Sequence, residues 1–187
     1  AAQDVGMKTL GFQHGGYERR HVAYIMHGIE HYRWYDNVLV WGGYWKDVIL
    51  RHSSIFSENF HILASNKHTY DYTLLPKKRK EKTILIPYEF LSDSVHVGQY
   101  IRRFITKGFY VYFKPRSDEL LEDQLQAYYL GEDRDKIEIV ETISPDVMAE
   151  IDVIAGTQTT MLFDLLPYRK PVWILETSFR LMYDMVE

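Results

Sequence analysis

The sequence contains no cysteine among its 187 residues, which excludes both a disulfide framework and a thiolate metal site. A reducing compartment is therefore favoured over a secretory one. No stretch approaches the roughly eighteen consecutive apolar residues of a membrane-spanning helix, and the N-terminus lacks a basic segment followed by an apolar one. We therefore expect a cytoplasmic protein without a spanning helix.

An excess of positive charge is also missing, since the formal net charge is -4. This argues against a nucleic-acid partner held by overall charge, because such proteins neutralise phosphates with many Lys and Arg side chains. The one basic run is Lys77-Lys78-Arg79-Lys80. Such a run can dock on acidic lipids at the inner face of a membrane or on a polyanionic substrate, although most such runs are simply solvated.

Apolar residues are plentiful at 46%, and from residue 82 they form a regular pattern. Short continuous apolar runs predict strands, and amphipathic segments between them predict helices. The predicted strands are 83–87, 109–114, 136–140, 151–155 and 170–175. One predicted helix begins near Ser92 or Ser94 and ends at Gly108, and a second one covers 118–130. This alternation predicts an α/β fold, a Rossmann-like parallel sheet with helices on both faces.

The N-terminal part is less regular and carries predicted strands at 7–14, 37–42 and 60–64, with a helix near 44–56. The stretch around the basic run breaks every periodicity, so we interpret it as a linker. The predicted organisation is an N-terminal segment at 1–66, a linker at 67–82 and a Rossmann-like domain at 83–187. We also expect the sequence to be a fragment of a longer chain.

The most informative single stretch is 151–166, an apolar run followed by Gly156-Thr157-Gln158-Thr159-Thr160 and an amphipathic segment. A strand that ends in a turn and opens a helix aims N–H groups and a positive dipole end at one point, where an anion can bind. The turn has no Lys, so it is not an ATPase-type phosphate loop. Thr157 alone would be enough to cap the helix, but three Thr and a Gly exceed that need and favour a phosphate site.

Two cations follow the predicted strand 109–114 in the sequence Lys114-Pro115-Arg116. The carboxyl edge of a parallel sheet is where ligands bind, and Arg and Lys both recognise phosphate. Alone, the pair is more simply explained as solvated loop cations. Together with the turn at the same edge, it favours a phosphate site.

Histidines supply the remaining candidates for chemistry. His14 follows the predicted strand 7–14 and can act as a base or a phosphate contact, or simply as a loop residue that bonds to the backbone. His27 and His31 are four residues apart, a spacing that can chelate a metal on one helix face. No third ligand stands at a suitable spacing, so no metal site is predicted.

Five short motifs carry a family resemblance, and they are Gln13-His-Gly15, Val40-Trp-Gly42, Lys114-Pro-Arg116, the run 152–162 and Lys170-Pro-Val172. They resemble GT-B fold glycosyltransferases of bacterial surface and capsular polysaccharides, including polysialyl-, Kdo- and glycerophosphotransferases. The resemblance spans residues 7–175, with 152–162 its most specific part. It implies a nucleotide-sugar-binding domain preceded by the end of an acceptor domain.

The resemblance also implies roles for residues. In that family the strand-end motif is Lys-x-His-Pro, so Arg116 would replace the phosphate-binding His, although Arg cannot exchange a proton at neutral pH. Thr159 and Thr160 match a hydroxyl pair in the phosphate site, His14 would be the catalytic base or a phosphate contact, and Glu89 and Glu176 are candidate nucleoside ligands. The implied donor-phosphate set is Lys114, Arg116, Gly156, Thr157, Gln158, Thr159 and Thr160.

The implied reaction is metal-independent transfer of a sugar from a nucleotide-sugar donor to a hydroxyl of a glycan or lipid-linked acceptor. The nucleotide sugar is a substrate, so no cofactor is expected. Two alternatives stay open. A sugar-nucleotide epimerase shares the two-domain fold, and a non-catalytic module would keep nucleotide affinity without turnover.

Overall fold

The computed structural model describes residues 2–13, 35–52, 60–63, 71–73, 75–88, 94–116, 133–157 and 159–176. The chain divides into two compact units, one holding the described residues up to 63 and the other those from 71 to 176. The helix predicted at 118–130 lies outside the described residues. Among the residues that are described, no helix is both long and apolar enough to cross a membrane.

The first unit contains a parallel sheet in which β1 (Leu10–Phe12), β2 (Asn37–Val40) and β3 (Phe60–Ile62) lie side by side in that order. Helix α1 (Gly43–His52) connects β2 to β3 and packs on both strands. Its Trp45 and Ile49 are buried, as expected for the apolar face of an amphipathic helix. The strands predicted from the sequence are confirmed, each somewhat shorter than its apolar run.

The second unit contains a five-stranded sheet, in which every pair of neighbouring strands is parallel. Its strands are β4 (Lys82–Pro87), β5 (Phe109–Lys114), β6 (Ile137–Ile139), β7 (Val153–Gly156) and β8 (Val172–Ile174). Their spatial order is β6-β5-β4-β7-β8. If the five strands are numbered from 1 in chain order, beginning with β4, their spatial order is 3-2-1-4-5, the order of the Rossmann fold.

Strand β4 lies at the centre because its sequence permits burial on both faces. Residues 83–87 are all buried, and they pair with β5 over the whole strand and with β7 at Ile84 and Leu85. Ile84 and Ile86 face one apolar layer, whereas Leu85 faces the other. A continuous apolar run of this length is typical of a strand covered by helices on both sides.

Helix α2 (Ser94–Thr106) covers the first of these layers. Its Val97, Ile101 and Phe104 are buried there, which confirms the predicted apolar face. The chain leaves the helix at Gly108, whose φ of +81° is readily adopted only by glycine and whose N–H donates to the Ile105 carbonyl at 2.8 Å. The predicted glycine terminator is therefore confirmed.

The second layer is covered by α3 (Pro145–Glu150), α4 (Met161–Asp164) and the 3₁₀ turn Leu166–Tyr168. Helix α3 was not predicted, although the sequence contains its start signal. Ser144 precedes Pro145 at the first helical turn, and the Ser144 Oγ accepts from the Val147 N–H at 3.2 Å. Six residues are too few to display a helical period, so only this capping signal could have revealed the helix.

A polar network joins the amino ends of β4 and β7. The Asp152 carboxylate accepts from the Thr83 N–H at 2.9 Å and from the Thr83 hydroxyl at 3.1 Å, and it pairs with the Lys77 ammonium. Burial alone would raise the pKa of Asp152, but the hydrogen bonds from Lys77 and Thr83 outweigh it and hold this pKa below its usual value. The ionised carboxylate therefore stabilises the fold.

Replacing Asp152 with Asn should lower the free energy of unfolding by about 1–2 kcal/mol at pH 7, since a charge-assisted, partly exposed contact is lost. Because folding lowers the pKa of Asp152, its carboxylate contributes its full stabilisation above the unfolded-state pKa of about 3.9. This stabilisation is lost as the pH falls through the lower pKa of the folded state. Urea unfolding at pH 7 and pH 3.5 should therefore show a smaller difference between wild type and Asp152→Asn at the lower pH.

The control is Asp135→Asn, which removes an exposed carboxylate from the same unit and should change the free energy by less than about 0.5 kcal/mol. An Asp152→Asn difference that stays the same at both pH values would contradict the assigned role of the ionised carboxylate.

Candidate functional site

The sheet order of the second unit places a topological switch at β4. From β4 the chain crosses one way to β5 and β6, and later to β7 and β8 on the other side. In open parallel sheets, ligands bind at the carboxyl ends of the strands beside such a switch. The candidate site is therefore the edge where β4, β5 and β7 end.

Two of the predicted motifs meet at this edge. Lys114 is the last residue of β5 and is in register with Pro87, the last residue of β4. Gly156 is the last residue of β7, so the predicted turn begins at the carboxyl end of the neighbouring strand. With β4 between them, the two strands lie about 10 Å apart, twice the normal strand spacing. The fold thus places both motifs at one edge of one sheet, on either side of the switch strand.

Lys114 is held at this edge by its backbone and partly covered. Its carbonyl accepts from the Tyr88 N–H at 2.9 Å, and its ammonium donates to the Pro115 carbonyl at 2.7 Å. Burial lowers the pKa of Lys114 below its usual value, whereas the charge of Glu141 acts in the opposite direction. A half-buried ammonium whose acceptor is a backbone carbonyl is suited to receiving an anion, because the anion would restore the charge interaction that burial removes.

Arg116 lies two residues beyond Lys114 and is exposed. Sequence reasoning did not single out Glu141, which follows β6 next to the end of β5 and brings a negative charge to this edge. The Val140 N–H donates to the Phe113 carbonyl at 2.8 Å, so the pairing of β6 with β5 continues up to this point. Only the sheet register, and no local sequence signal, brings Glu141 towards Lys114.

The turn after β7 is buried more deeply than a solvated loop would be. Thr157 and Thr159 are among the few buried polar residues that the structure describes, with 6% and 7% of their surface exposed. Gly156 is also buried, because the Leu162 side chain packs against it. A Cβ at position 156 would lie 2.9 Å from the Leu162 Cδ2 atom, so glycine allows the following helix to approach the strand end closely.

The start of helix α4 has no side-chain cap, since its N-cap residue is Thr160 and no side chain caps the helix there. The Thr159 hydroxyl accepts from the Met161 N–H at 3.3 Å. Helix α4 has four residues, so its dipole is weaker than the sequence pattern suggested. A phosphate site at this turn would therefore depend on local N–H and hydroxyl groups more than on a helix dipole. The Met161 N–H is already engaged by Thr159.

The other candidate residues fall into two groups. Glu176 is exposed just after β8, and its backbone carbonyl accepts from the Tyr100 hydroxyl at 2.9 Å, which ties the strand end to α2. Its role as a nucleoside ligand stays a prediction. His14, Glu89 and Gln158 lie outside the described residues, as do His27 and His31. Among the residues the structure covers, no cluster of three or more His, Asp or Glu side chains could hold a metal ion.

In the first unit, Gln13 makes contacts that the sequence did not predict. Its side chain is buried, and its Oε1 accepts from the Trp41 N–H at 2.9 Å. The Gln13 N–H donates to the Leu39 carbonyl at 2.9 Å. Gln13 therefore joins the carboxyl ends of β1 and β2, immediately before the position of His14. The sequence shows only a Gln after a short apolar run, which does not predict this contact.

At the opposite edge of the five-stranded sheet, the basic run borders an open pocket of about 400 Å³ lined by Lys78, Arg79, Tyr112 and Glu150. The charges here are largely paired within the unit. The Arg79 guanidinium lies 3.6 Å from the Glu138 carboxylate, and Lys77 pairs with Asp152. Membrane docking through this run stays a prediction, in which the more exposed Lys78 and Lys80 would take the larger part.

Comparison with known proteins gives structural neighbours only, since no family model and no curated protein matches the sequence. The crystal structure of TarM aligns with a TM-score of 0.54 and 12% identity, covering 92% of this chain and 37% of TarM. The accessory secretory proteins 1, 2 and 3 of Streptococcus pneumoniae give 0.49 and 12% identity, over 80% of this chain and 32% of that one. The wall teichoic acid polymerase TagF gives 0.44 and 10%, over 74% and 37%.

The likeness to TarM shows the fold. It confirms the Rossmann-like parallel α/β architecture and, at the level of fold, the predicted resemblance to GT-B proteins. The chain spans well under half of the length of TarM.

Gly156→Ala should destabilise the second unit by about 1–3 kcal/mol, because the added methyl overlaps the buried Leu162 side chain. Urea unfolding would measure the loss. The matched control is Gly43→Ala, where a Cβ meets nothing within 4 Å and a helical position gains a better helix former. Adding Leu162→Ala should cost less in the Gly156→Ala background than in wild type; additive costs would show that the two positions are independent.

Proposed function

We propose that the carboxyl edge of the five-stranded sheet binds the phosphate groups of a nucleotide-sugar donor. The observation that carries this proposal is the position of Lys114 and the 156–160 turn at the ends of β5 and β7, on either side of the switch strand β4. Lys114 and Arg116 supply charge, and the turn supplies hydroxyl and N–H donors. Glu176, at the end of β8, and Glu89 are the proposed nucleoside contacts.

The proposed reaction is transfer of the sugar to a hydroxyl of a glycan or lipid-linked acceptor in surface polysaccharide synthesis. Negative charge that develops on the leaving phosphate would be stabilised by Lys114, Arg116 and the turn, which is electrostatic preorganisation and requires no metal ion. Arg116 cannot trade protons at neutral pH, so it acts only as a phosphate clamp. His14 is the proposed base for the acceptor hydroxyl. The resemblance in motifs supports a cytoplasmic, membrane-proximal setting.

Calorimetric titration with UDP, CDP, GDP and CMP tests the donor site. Arg116→Ala and Thr160→Ala should each weaken binding of the preferred nucleotide by about tenfold or more, since each removes a phosphate contact. Arg134→Ala is the matched control, because Arg134 is an exposed cation just before β6, at the other end of the strands. No binding by any of the four nucleotides, or unchanged affinity in both site variants, would refute the site.

His14→Ala should abolish sugar transfer while leaving nucleotide affinity unchanged, because a base acts on the acceptor and not on the donor phosphate. His61→Ala is the control in the same unit, where the exposed His61 ring lies 2.9 Å from the Asn37 side chain. Transfer is followed with labelled donor and a glycan acceptor. An epimerised sugar formed from donor alone would identify an epimerase, and binding without any turnover would identify a non-catalytic module.

A further inference from the structure

The segment before β4 has extensive contacts with the second unit. We refer to residues 71–73 and 75–81 together as the strap. The Glu150 carboxylate, at the end of α3, accepts from the backbone N–H groups of Lys78 at 2.9 Å and Arg79 at 2.7 Å. The Glu150 carboxylate thus accepts from two successive backbone amides. This arrangement holds the backbone of the strap in place, which a contact to a strap side chain would not do.

The side chains of the strap strengthen this attachment. The Lys77 ammonium pairs with Asp152 and donates to the Glu81 carbonyl at 2.7 Å. The Arg79 guanidinium lies 3.7 Å from the centre of the Tyr110 ring and within 3.6 Å of the Glu138 carboxylate. Stacking on an aromatic ring combined with ion pairing is a favourable environment for Arg and leaves it little freedom.

A second attachment holds the beginning of the strap. The buried Tyr168 donates its hydroxyl to the Asp71 carbonyl at 2.7 Å. The Tyr72 ring packs edge-on against Tyr168 with centroids 4.9 Å apart, and the Tyr72 hydroxyl donates to the Asp164 carbonyl at 3.4 Å. The Asp71 carboxylate also accepts from the Thr73 N–H at 2.9 Å, forming a local turn.

The two attachments are independent in sequence and in chemistry. One uses aromatic and carbonyl groups of the α4 region, and the other uses carboxylates at the end of α3 and before β7. A solvated linker would show neither, because ordering its backbone loses conformational entropy that only compensating contacts can offset. The strap is therefore bound along most of its length.

We propose that the strap is a built-in element of the second unit and not a solvated linker. The connecting segment predicted from the sequence at 67–82 then loses most of its length. Lys77 and Arg79 serve as internal anchors and are not available to a membrane or a polyanion, whereas Lys78 and Lys80 of the basic run stay exposed.

Hydrogen exchange of single backbone amides tests this proposal on the whole chain. In wild type, the amides of Lys78 and Arg79 should exchange far more slowly than in an unstructured chain. Glu150→Ala should accelerate both by about tenfold or more, because each loses its charged acceptor. The amides of Leu85 and Ile86 in β4 should keep their protection and serve as the internal measure of folding.

The matched control is Asp135→Ala, which removes an exposed carboxylate elsewhere on the unit and should leave both strap amides protected. If Glu150→Ala also accelerates amide exchange in β4, the Glu150→Gln variant is measured instead. It retains an acceptor oxygen, so we expect a smaller acceleration of exchange that is confined to the strap amides. Unprotected Lys78 and Arg79 amides in wild type, or protection that survives Glu150→Ala in a folded unit, would overturn the proposal.

Discussion

The second unit depends on the double pairing of β4. This strand is buried on both faces and lies between β5 and β7, so both apolar layers and both halves of the sheet meet on it. A polar residue at Ile84, Leu85 or Ile86 would lack a partner in the interior and would disturb both layers at once. The same pairing creates the switch point. The constraint that stabilises the fold therefore also forms the kind of sheet edge at which open parallel sheets bind ligands.

The two edges of this sheet use their polar groups differently. At the amino edge, Asp152, Thr83 and Lys77 satisfy one another, and Glu150 binds backbone amides. At the carboxyl edge, Lys114 has a backbone carbonyl as its acceptor and a pKa lowered by burial. Charge is neutralised inside the fold at the amino edge, whereas at the carboxyl edge the Lys114 ammonium is partly buried and feels the charge of Glu141 from a distance. An incoming anion would therefore find its electrostatic gain at the carboxyl edge.

The strands were predictable from the sequence because buried parallel strands are continuous apolar runs, as in 83–87 and 109–114. Helix α3 was missed because six residues show no period. The sequence did not indicate which Thr hydroxyl of the turn contacts the helix start, since several hydroxyls fit the pattern and only Thr159 accepts from the Met161 N–H. The site motifs could be recognised locally, but their meeting at one edge follows from strand order. The pairing of Lys77 with Asp152, 75 residues apart, and the position of Glu141 depend on register and have no local signal.

Lys114 and Arg116 would respond differently to a bound phosphate. Arg116 is charged at any physiological pH, so its contribution to affinity is constant. Lys114 loses part of its preference for the charged form through burial, and Glu141 restores some of it. By linkage, an anion that binds the charged ammonium must raise the pKa of Lys114 by the same free energy that the ammonium contributes to binding. Partial burial removes part of the water around the Lys114 ammonium. A phosphate at the proposed site would therefore gain more from Lys114 than from an exposed lysine, because the contact would form where water screens it less.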